Sequence, residues 1–379
     1  MKESKIRVLM MVSWYSPAEE GLKIGVFHNE QARALQQYCD VAIYCPYDRV
    51  ITECCTKSVD WGVLTYRSRY HIQKKMRNRR YMFRAMRRIK REFNPDIIHA
   101  HVATEAGRFA IVLGKLFHIP VMITEHSAPE GSEVDRFPHF YYAKFAYGHS
   151  RYNACVSDYL TEYLRKLFPK YQFETIYNGI QDCGCPAAKE RGTREIPSCV
   201  IVANFYHKDI KGFHILLPVL ARLKKEKEPI LMQFVGDGEY LAYYKGEAER
   251  LDVADQCIFY GHCDRNEVNR ILSESDFLVS ASLFESFGCS IAEALMAGLP
   301  VVATACGGPN SLIDKDNGIL VEKGSEDALY DGISKMLHHY AQYDYQKIKK
   351  RAEERFSMRV VTEKYVDIYK KILRDRDKH

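Results

Sequence analysis

Short apolar runs alternate with segments of helical periodicity along almost the whole chain, and this alternation is the strongest constraint on its fold. The predicted strands are 6–14, 40–45, 63–68, 96–102, 121–125, 153–157, 174–177, 199–204, 230–235, 256–260, 277–280, 300–304 and 318–321. Such a βαβα order predicts parallel sheets that are covered by helices on both faces. We therefore expect an α/β protein with two Rossmann-like, doubly wound domains and a ligand-binding cleft where the domains face each other.

The domain boundaries follow from length and composition. A chain of 379 residues is too long for one ordinary core, so two domains are expected. Residues 182–197 are rich in Gly, Pro, Cys and charge and have no periodicity, which is typical of a linker. This predicts an N-terminal domain at 1–181, a C-terminal domain at 198–355 and a final helix at 356–379. The final helix carries one apolar stripe, so it must be buried against something.

The 12 cysteines are scattered through apparent strands and helices, and no C-x-x-C pair occurs. Cys54 and Cys55 are adjacent, and Cys183 and Cys185 are one residue apart, which is too close for the usual zinc knuckle. The apolar run near the N-terminus is more typical of a first buried strand than of a signal peptide. We therefore expect reduced thiols, no structural metal and a cytoplasmic protein.

Residues 277–308 predict a strand, a loop, a short helix, a second strand and a glycine turn. Glu285 falls in the loop, and Gly288 precedes a helix that is predicted to begin near Ser290. Amides at a helix N-terminus are suited to binding a phosphate. Ser290 and Glu293 also match a capping box, in which Glu293 would only satisfy backbone donors. Glu285 alone would be an ordinary surface carboxylate.

The spacing of these residues resembles the E-x7-E signature of retaining glycosyltransferases of family 4, the group 1 glycosyl transferases with the GT-B fold. Both glutamates flank a small-residue turn, and G-x-P-V-V-A-T and a Gly-Gly turn follow. The resemblance covers nearly the whole chain, more loosely in its N-terminal half. It implies that Glu285 lies beside the donor sugar and that Glu293 accepts hydrogen bonds from the ribose. The residues implied to hold the diphosphate are Phe287, Gly288, Cys289 and Ser290.

A second matching stretch is 201–217, where Lys211 stands before a glycine as the family's phosphate-binding lysine does. Such a lysine would neutralise charge on the leaving diphosphate. Asn204 stands where the family usually has an arginine, and we count it with the donor-binding residues. The loop is also longer than usual, so Lys208 is an alternative to Lys211. Gly236 resembles the family's strand-end glycine turn, although such a turn is often only structural.

In the N-terminal half, His126 directly follows a predicted buried strand. The resemblance implies that it contacts the donor sugar or the reaction centre. Gly21 and Gly25 resemble the glycine turn beside the diphosphate and the acceptor; Gly25 matches better, and a plain loop glycine is the alternative. The resemblance also implies that the final helix crosses back and packs on the N-terminal domain.

The function implied is retaining transfer of a sugar from a UDP- or GDP-linked donor to a glycan or lipid-linked acceptor, in cell-surface polysaccharide or glycolipid assembly. No cofactor and no metal ion are expected, because a helix N-terminus and a lysine can neutralise the diphosphate. We interpret the D-x-D strings at 314–316 and 375–377 as accidental. The alternatives are a nucleotide-sugar 2-epimerase of similar architecture and a non-catalytic nucleotide-sugar-binding protein.

One basic element stands out against a net charge of +6. Between Arg67 and Arg91 there are 12 Lys or Arg residues and no acid, so the rest of the chain sums to about −6. No nucleic-acid recognition motif accompanies it, and we expect no nucleic-acid partner. Two interpretations stay open: a helix that faces anionic lipid on the inner face of the plasma membrane, or a solvated helix packed on the N-domain sheet.

Overall fold

The computed structural model describes residues 5–16, 25–73, 75–127, 134–182, 195–206 and 208–376. The chain divides into two compact units. The first unit comprises Met1–Gly179 together with Met358–His379, and the second comprises Ile180–Ser357. Most of the predicted linker, 183–194, lies outside the described residues, as do Gly21, Cys183, Cys185 and Asp377.

The sheet of the first unit has the strand order β3-β4-β2-β1-β5-β6-β7-β8. All neighbouring strands are parallel except the antiparallel pair β3–β4. The central strands are apolar because residues on both of their faces are buried. The strands are β1 (Arg7–Met11), β2 (Asp40–Asp48), β3 (Cys55–Asp60), β4 (Val63–Arg69), β5 (Ile97–His101), β6 (Val121–Glu125), β7 (Tyr152–Cys155) and β8 (Glu174–Thr175).

Helices connect these strands in the order expected of a doubly wound sheet. A single π-helical turn, Val102–Gly107, links β5 to the helix that follows it. Such turns are frequent at functional sites. The helices are α1 (Val26–Leu35), α2 (Lys75–Glu92), α3 (Arg108–Phe117), α4 (His139–His149) and α5 (Asp158–Leu167).

The second unit has a parallel sheet in the order β11-β10-β9-β12-β13-β14. Its strands are β9 (Ser198–Val202), β10 (Leu231–Val235), β11 (Cys257–Gly261), β12 (Phe277–Ser280), β13 (Val301–Thr304) and β14 (Gly318–Val321). Its helices are α6 (Phe213–Lys225), α7 (Leu241–Arg250), α8 (Arg265–Glu274), α9 (Cys289–Met296), α10 (Pro309–Leu312), α11 (Glu326–His339) and α12 (Tyr345–Phe356). The prediction of two doubly wound, Rossmann-like domains is confirmed.

The last helix, α13 (Met358–Arg376), belongs to the first unit. Its buried side chains, among them Val361, Tyr365 and Tyr369, join the core formed by β1, β2 and β5. Tyr369 Oη lies 2.7 Å from His99 Nδ1 on β5. The predicted return of the final helix to the N-terminal domain is therefore confirmed.

The basic element divides between a strand and a helix. Arg67, on β4, is only 3% exposed in its side chain and pairs with Asp48 at 3.0 Å and with Asp60 at 2.8 Å. It therefore belongs to the interior of the first unit, and including it in a basic surface was wrong. The remaining cations lie mainly on α2, whose apolar stripe contains the buried Met86 and Ile89. Among the described residues, no helix is both long and apolar enough to cross a membrane.

Candidate active site

Lys211 and Glu285 form an ion pair in the second unit. Lys211 Nζ lies 2.6 Å from Glu285 Oε1, and Ser282 Oγ donates to the same oxygen at 3.0 Å. Lys211 follows β9 and Glu285 follows β12, and these strands are neighbours in the sheet. Because parallel strands end at the same edge, residues far apart in the chain meet there. Both side chains are partly exposed, at 22% and 16%, so a ligand can reach them.

The other predicted lysine has different surroundings. Lys208 is exposed, and its Nζ lies 4.7 Å from the centre of the Tyr243 ring. Its backbone carbonyl accepts a hydrogen bond from Tyr244 Oη. Asn204 is also exposed, two residues beyond the end of β9. The geometry thus brings Lys211, and not Lys208, beside Glu285.

The loop that carries Glu285 is joined to the Gly-Gly turn after β13. The Glu285 amide donates to the Cys306 carbonyl at 3.2 Å, and the Gly308 amide donates to the Glu285 carbonyl at 2.8 Å. A side chain at position 308 would collide with the Phe287 carbonyl oxygen. The glycine therefore lets two loops lie against each other and fixes the position of Glu285.

Helix α9 begins directly after this loop. Gly288 is its N-cap residue, with a φ of 95°, and Cys289 is its first helical residue. Ser290 is thus inside the helix, and the capping-box interpretation of Ser290 and Glu293 is wrong. Glu293 instead pairs with Arg265, the first residue of α8. No role was assigned to Arg265 itself from the sequence, in which it is one of 55 Lys and Arg residues.

Gly236 has a structural reason to be glycine. Its φ is 143°, and a side chain there would collide with the Ala203 carbonyl oxygen. Its amide donates to the Gly261 carbonyl at 2.9 Å. The backbone donor of Gly236 is therefore already used between strand ends, which favours the tight-turn interpretation.

In the first unit, His126 follows β6 and is buried against a second histidine. His126 Nε2 lies 2.8 Å from Nδ1 of His101, the last residue of the neighbouring β5. His101 stacks in turn on His99, with ring centres 4.4 Å apart. Burial lowers the pKa of His126 to about 3, so its ring is neutral at physiological pH.

Glu125 holds the segment that carries His126, a role that no sequence pattern indicated. Its Oε1 accepts from the amides of His126 at 3.0 Å and Ser127 at 2.9 Å. Its Oε2 accepts from the Ala103 amide at 3.0 Å and from Tyr147 Oη at 2.8 Å. A buried carboxylate with four donors fixes both strand-end loops rigidly.

Gly25 forms the N-cap of α1 with a φ of 81°. A Cβ at this position would lie 2.9 Å from Tyr15 Cδ2, so the turn needs glycine. The first helical turn then brings Phe27 to within 5.0 Å of the His126 ring, measured between ring centres. Gly25 therefore starts the helix that packs beside His126.

Two groups of side chains contain residue types that can ligate a metal ion. His28, His101 and His126 offer nitrogen atoms within 4.8 Å of one another. The 2.8 Å contact between His101 and His126 is a hydrogen-bond distance, shorter than the roughly 3.3 Å that tetrahedral zinc imposes on two nitrogens. Asp314 and Asp316 of the first D-x-D string both form ion pairs with Arg351.

Comparisons with known proteins cover both units. The family description "Glycosyltransferase Family 4" matches residues 24–182, and "Glycosyl transferases group 1" matches residues 192–355. The chain is 26% identical over 365 residues to the putative teichuronic acid biosynthesis glycosyltransferase TuaC of Bacillus subtilis (strain 168), covering 88% of this chain and 90% of that protein.

A second relative is the alpha-monoglucosyldiacylglycerol synthase of Streptococcus pneumoniae (strain ATCC BAA-255 / R6). It is 26% identical over 274 residues, which cover 64% of this chain and 60% of that protein. Among solved structures, Anabaena Alr3699/HepE in complex with UDP-glucose superposes with a TM-score of 0.73 over 97% of this chain and 100% of that chain. At 16% identity, this last likeness concerns the fold.

Proposed function

Because the chain belongs to the group 1 glycosyl transferases, enzymes of the GT-B fold, we propose that it transfers a sugar from a nucleoside-diphosphate donor to an acceptor hydroxyl with retention of configuration. The observation that carries this proposal is the Lys211–Glu285 pair at the carboxyl edge of the second sheet. At this edge the carboxylate can stabilise the sugar end of a glycosyl phosphate bond, and the lysine can stabilise its phosphate end.

The donor diphosphate binds at the N-terminus of α9 in this proposal. The amides of Phe287, Gly288, Cys289 and Ser290 face it, and the helix dipole adds partial positive charge. Lys211 supplies a full positive charge nearby. Together they neutralise the diphosphate as it leaves, so the proposed reaction needs no metal ion.

Glu285 is a donor-binding residue and not a nucleophile in the proposed mechanism. The bond between the anomeric carbon and the diphosphate oxygen breaks, and the acceptor oxygen bonds to the same face of that carbon. The acceptor proton passes to an oxygen of the leaving diphosphate. Glu285 stabilises positive charge that develops on the sugar, and Lys211 stabilises the diphosphate.

Two further side chains complete the proposed site. Glu293 accepts hydrogen bonds from the ribose hydroxyls, and its ion pair with Arg265 orients the carboxylate. Neutral His126 contacts the donor sugar; a neutral ring can donate or accept a hydrogen bond without opposing positive charge on the sugar.

The donor and acceptor classes are proposed from the relatives. The solved complex of HepE with UDP-glucose supports a UDP-sugar as the donor. TuaC is described by its role in teichuronic acid biosynthesis, and the pneumococcal relative as a glycolipid synthase. We therefore favour cell-surface polysaccharide or glycolipid assembly, with a glycan or lipid-linked acceptor.

Helix α2 supports a peripheral location on the inner face of the plasma membrane. Its exposed cations, which no acid interrupts before Glu92, can bind anionic headgroups. Its apolar stripe is already covered in part, since Met82, Met86 and Ile89 are buried. The proposed membrane binding is therefore electrostatic rather than by insertion.

A thermal-shift screen against UDP-, GDP- and ADP-glucose tests the donor. A donor at 100 times its dissociation constant should stabilise the protein by about 2.7 kcal/mol.

NMR of the product should show that the new glycosidic bond has the donor's anomeric configuration, and EDTA should leave turnover unchanged. Interconversion of free nucleotide-sugars without an acceptor would identify an epimerase. Donor binding without turnover of any acceptor would favour the non-catalytic alternative.

A further inference from the structure

A cavity of about 510 Å³ opens at the carboxyl edge of the first sheet. It lies beyond the ends of β1, β2 and β4 and beside the π-helical turn after β5. This is the edge at which doubly wound sheets bind ligands. Its wall combines aromatic rings with charged groups, notably Tyr47, Tyr70, Arg49, Arg108 and Glu105.

Arg108 forms no ion pair within 4 Å with another residue that the structure describes, although Glu105 is near it. Its guanidinium lies 4.2 Å from the Tyr142 ring centre and 4.7 Å from that of Phe109. Its Nε is buried and has no hydrogen-bond partner among the described residues. Two aromatic rings thus hold the guanidinium in place, while its Nε donor is unused among the described residues.

Tyr47 presents a second unused donor. Its Oη is buried without a hydrogen-bond partner in the described part of the chain. Its ring packs edge-on against Tyr70, with ring centres 5.3 Å apart. Buried polar groups are normally hydrogen-bonded, so two unpartnered donors in the residues that line one cavity favour a ligand with acceptor atoms.

The charge balance of the wall favours an anion. Asp48 is already neutralised by Arg67 at 3.0 Å. Arg49 is exposed at the mouth and forms no ion pair with a described residue. Burial raises the pKa of Glu105, while nearby Arg108 lowers it. With Asp48 paired, the wall sets two arginines against this one carboxyl group. A sugar hydroxyl could donate to it.

We propose that this cavity binds an acceptor sugar that carries an anionic group, a carboxylate or a phosphate. Arg108 pairs with the anion, Tyr47 donates a hydrogen bond to it or to a neighbouring hydroxyl, and Tyr70 provides an apolar surface for the sugar ring. Arg49 attracts the same charge at the mouth. The inference rests on the proposed function and names its acceptor class.

The test is a binding titration in the absence of donor, followed by NMR, with three probes: methyl β-glucuronide, glucose 1-phosphate and uncharged methyl β-glucoside. We expect one or both charged probes to bind at least about tenfold more tightly than the glucoside. Whichever charged probe binds more tightly shows whether the preferred anionic group is a carboxylate or a phosphate. Equal binding of all three probes would overturn the proposal.

Matched variants test whether the preference for charged probes arises in this cavity. Arg108→Gln should abolish the charge preference, whereas Arg33→Gln, which removes an exposed arginine of α1 outside the cavity wall, should keep it. Arg49→Gln, at an exposed position, should reduce the preference with the fold intact. A preference that survives both Arg108→Gln and Arg49→Gln contradicts the proposal. The donor screen is independent of this titration. If none of the three nucleotide-sugars binds while a charged probe binds, the proposed function fails and the anion-binding cavity stands.

Discussion

The side-chain nitrogen of Lys211 lies 2.6 Å from Glu285 Oε1, although the two residues are 74 positions apart in the chain. Each follows a buried strand, and the strands β9 and β12 are adjacent. The pair holds both side chains at the sheet edge before a donor arrives. A ligand that replaces this contact gains a preorganised cation and a preorganised carboxylate.

Glu285→Gln should lower kcat at least about a hundredfold, because a preorganised charge near the reacting carbon is lost. The control is Glu322→Gln, an exposed glutamate of the second unit just after β14. Steady-state kinetics with the donor found in the screen give the comparison. Near-normal turnover by Glu285→Gln would remove this residue from the site.

Arg265→Gln should raise the KM for the donor and change the melting temperature little. The reason is that Arg265 orients Glu293, the proposed ribose ligand, from the start of α8. Arg270→Gln is a matched control on the same helix, since Arg270 is exposed and pairs locally with Glu267 and Glu274. Equal effects of the two substitutions on KM would contradict the role of Arg265.

The pH dependence of stability should report the buried histidines of the first unit. Burial lowers the pKa of His99 and that of His126 from 6.5 to about 3. Between these values the unfolded state binds more protons than the folded state, so the free energy of unfolding falls as pH decreases. Lowering the pH from 7 to 5.5 should reduce the free energy of unfolding by about 1 kcal/mol for each of these histidines.

Urea unfolding at both pH values, followed by fluorescence, measures this loss. Both tryptophans, Trp14 and Trp61, belong to the first unit and report on it alone. His99→Gln should reduce the pH dependence, whereas the exposed His118→Asn should not. An unfolding free energy that is unchanged between the two pH values would show that these rings are not held neutral.

Membrane binding should depend on the exposed cations of α2. The double variant Arg80→Glu, Arg87→Glu should bind vesicles of anionic phospholipid much more weakly than the wild type, and none of the proteins should bind zwitterionic vesicles. The control carries the same charge change at Lys225 and Lys245, which are exposed in the second unit. Sedimentation with vesicles gives the bound fraction. Equal losses in both double variants would indicate a general effect of net charge.

The fold could be predicted well where burial makes the apolar pattern continuous. Val121–Glu125, Phe277–Ser280 and Gly318–Val321 have the predicted bounds. The edge strand Cys55–Asp60 was missed because its middle residues alternate between exposed and partly buried positions, so it shows no apolar run. Edge strands with polar outer faces give a weak sequence signal.

The candidate site could be predicted only in part. Glu285 and His126 stand next to strands, and a family pattern marks them. Arg265 and Glu125 act through partners that are distant in sequence or through backbone amides, and no local pattern distinguishes such residues from other charged side chains. The choice between Lys208 and Lys211 likewise required the three-dimensional path of the loop.

The hydrogen bond between Tyr369 and His99 should stabilise the attachment of α13 to the first unit. Both side chains are fully buried, and the contact is 2.7 Å. Tyr369→Phe leaves His99 Nδ1 without this partner and should lower the free energy of unfolding by about 1–3 kcal/mol. Tyr365→Phe is the matched comparison on the same helix. Its hydroxyl interacts with Gln31 and lies 3.3 Å from Thr124 Oγ1, which keeps its 2.7 Å contact with His99 Nε2, so a smaller loss is expected. Urea unfolding followed by the fluorescence of Trp14 and Trp61 measures both losses in the first unit. If both substitutions lower the free energy of unfolding equally, the shorter hydrogen bond of Tyr369 does not contribute more than that of Tyr365 to the attachment of α13.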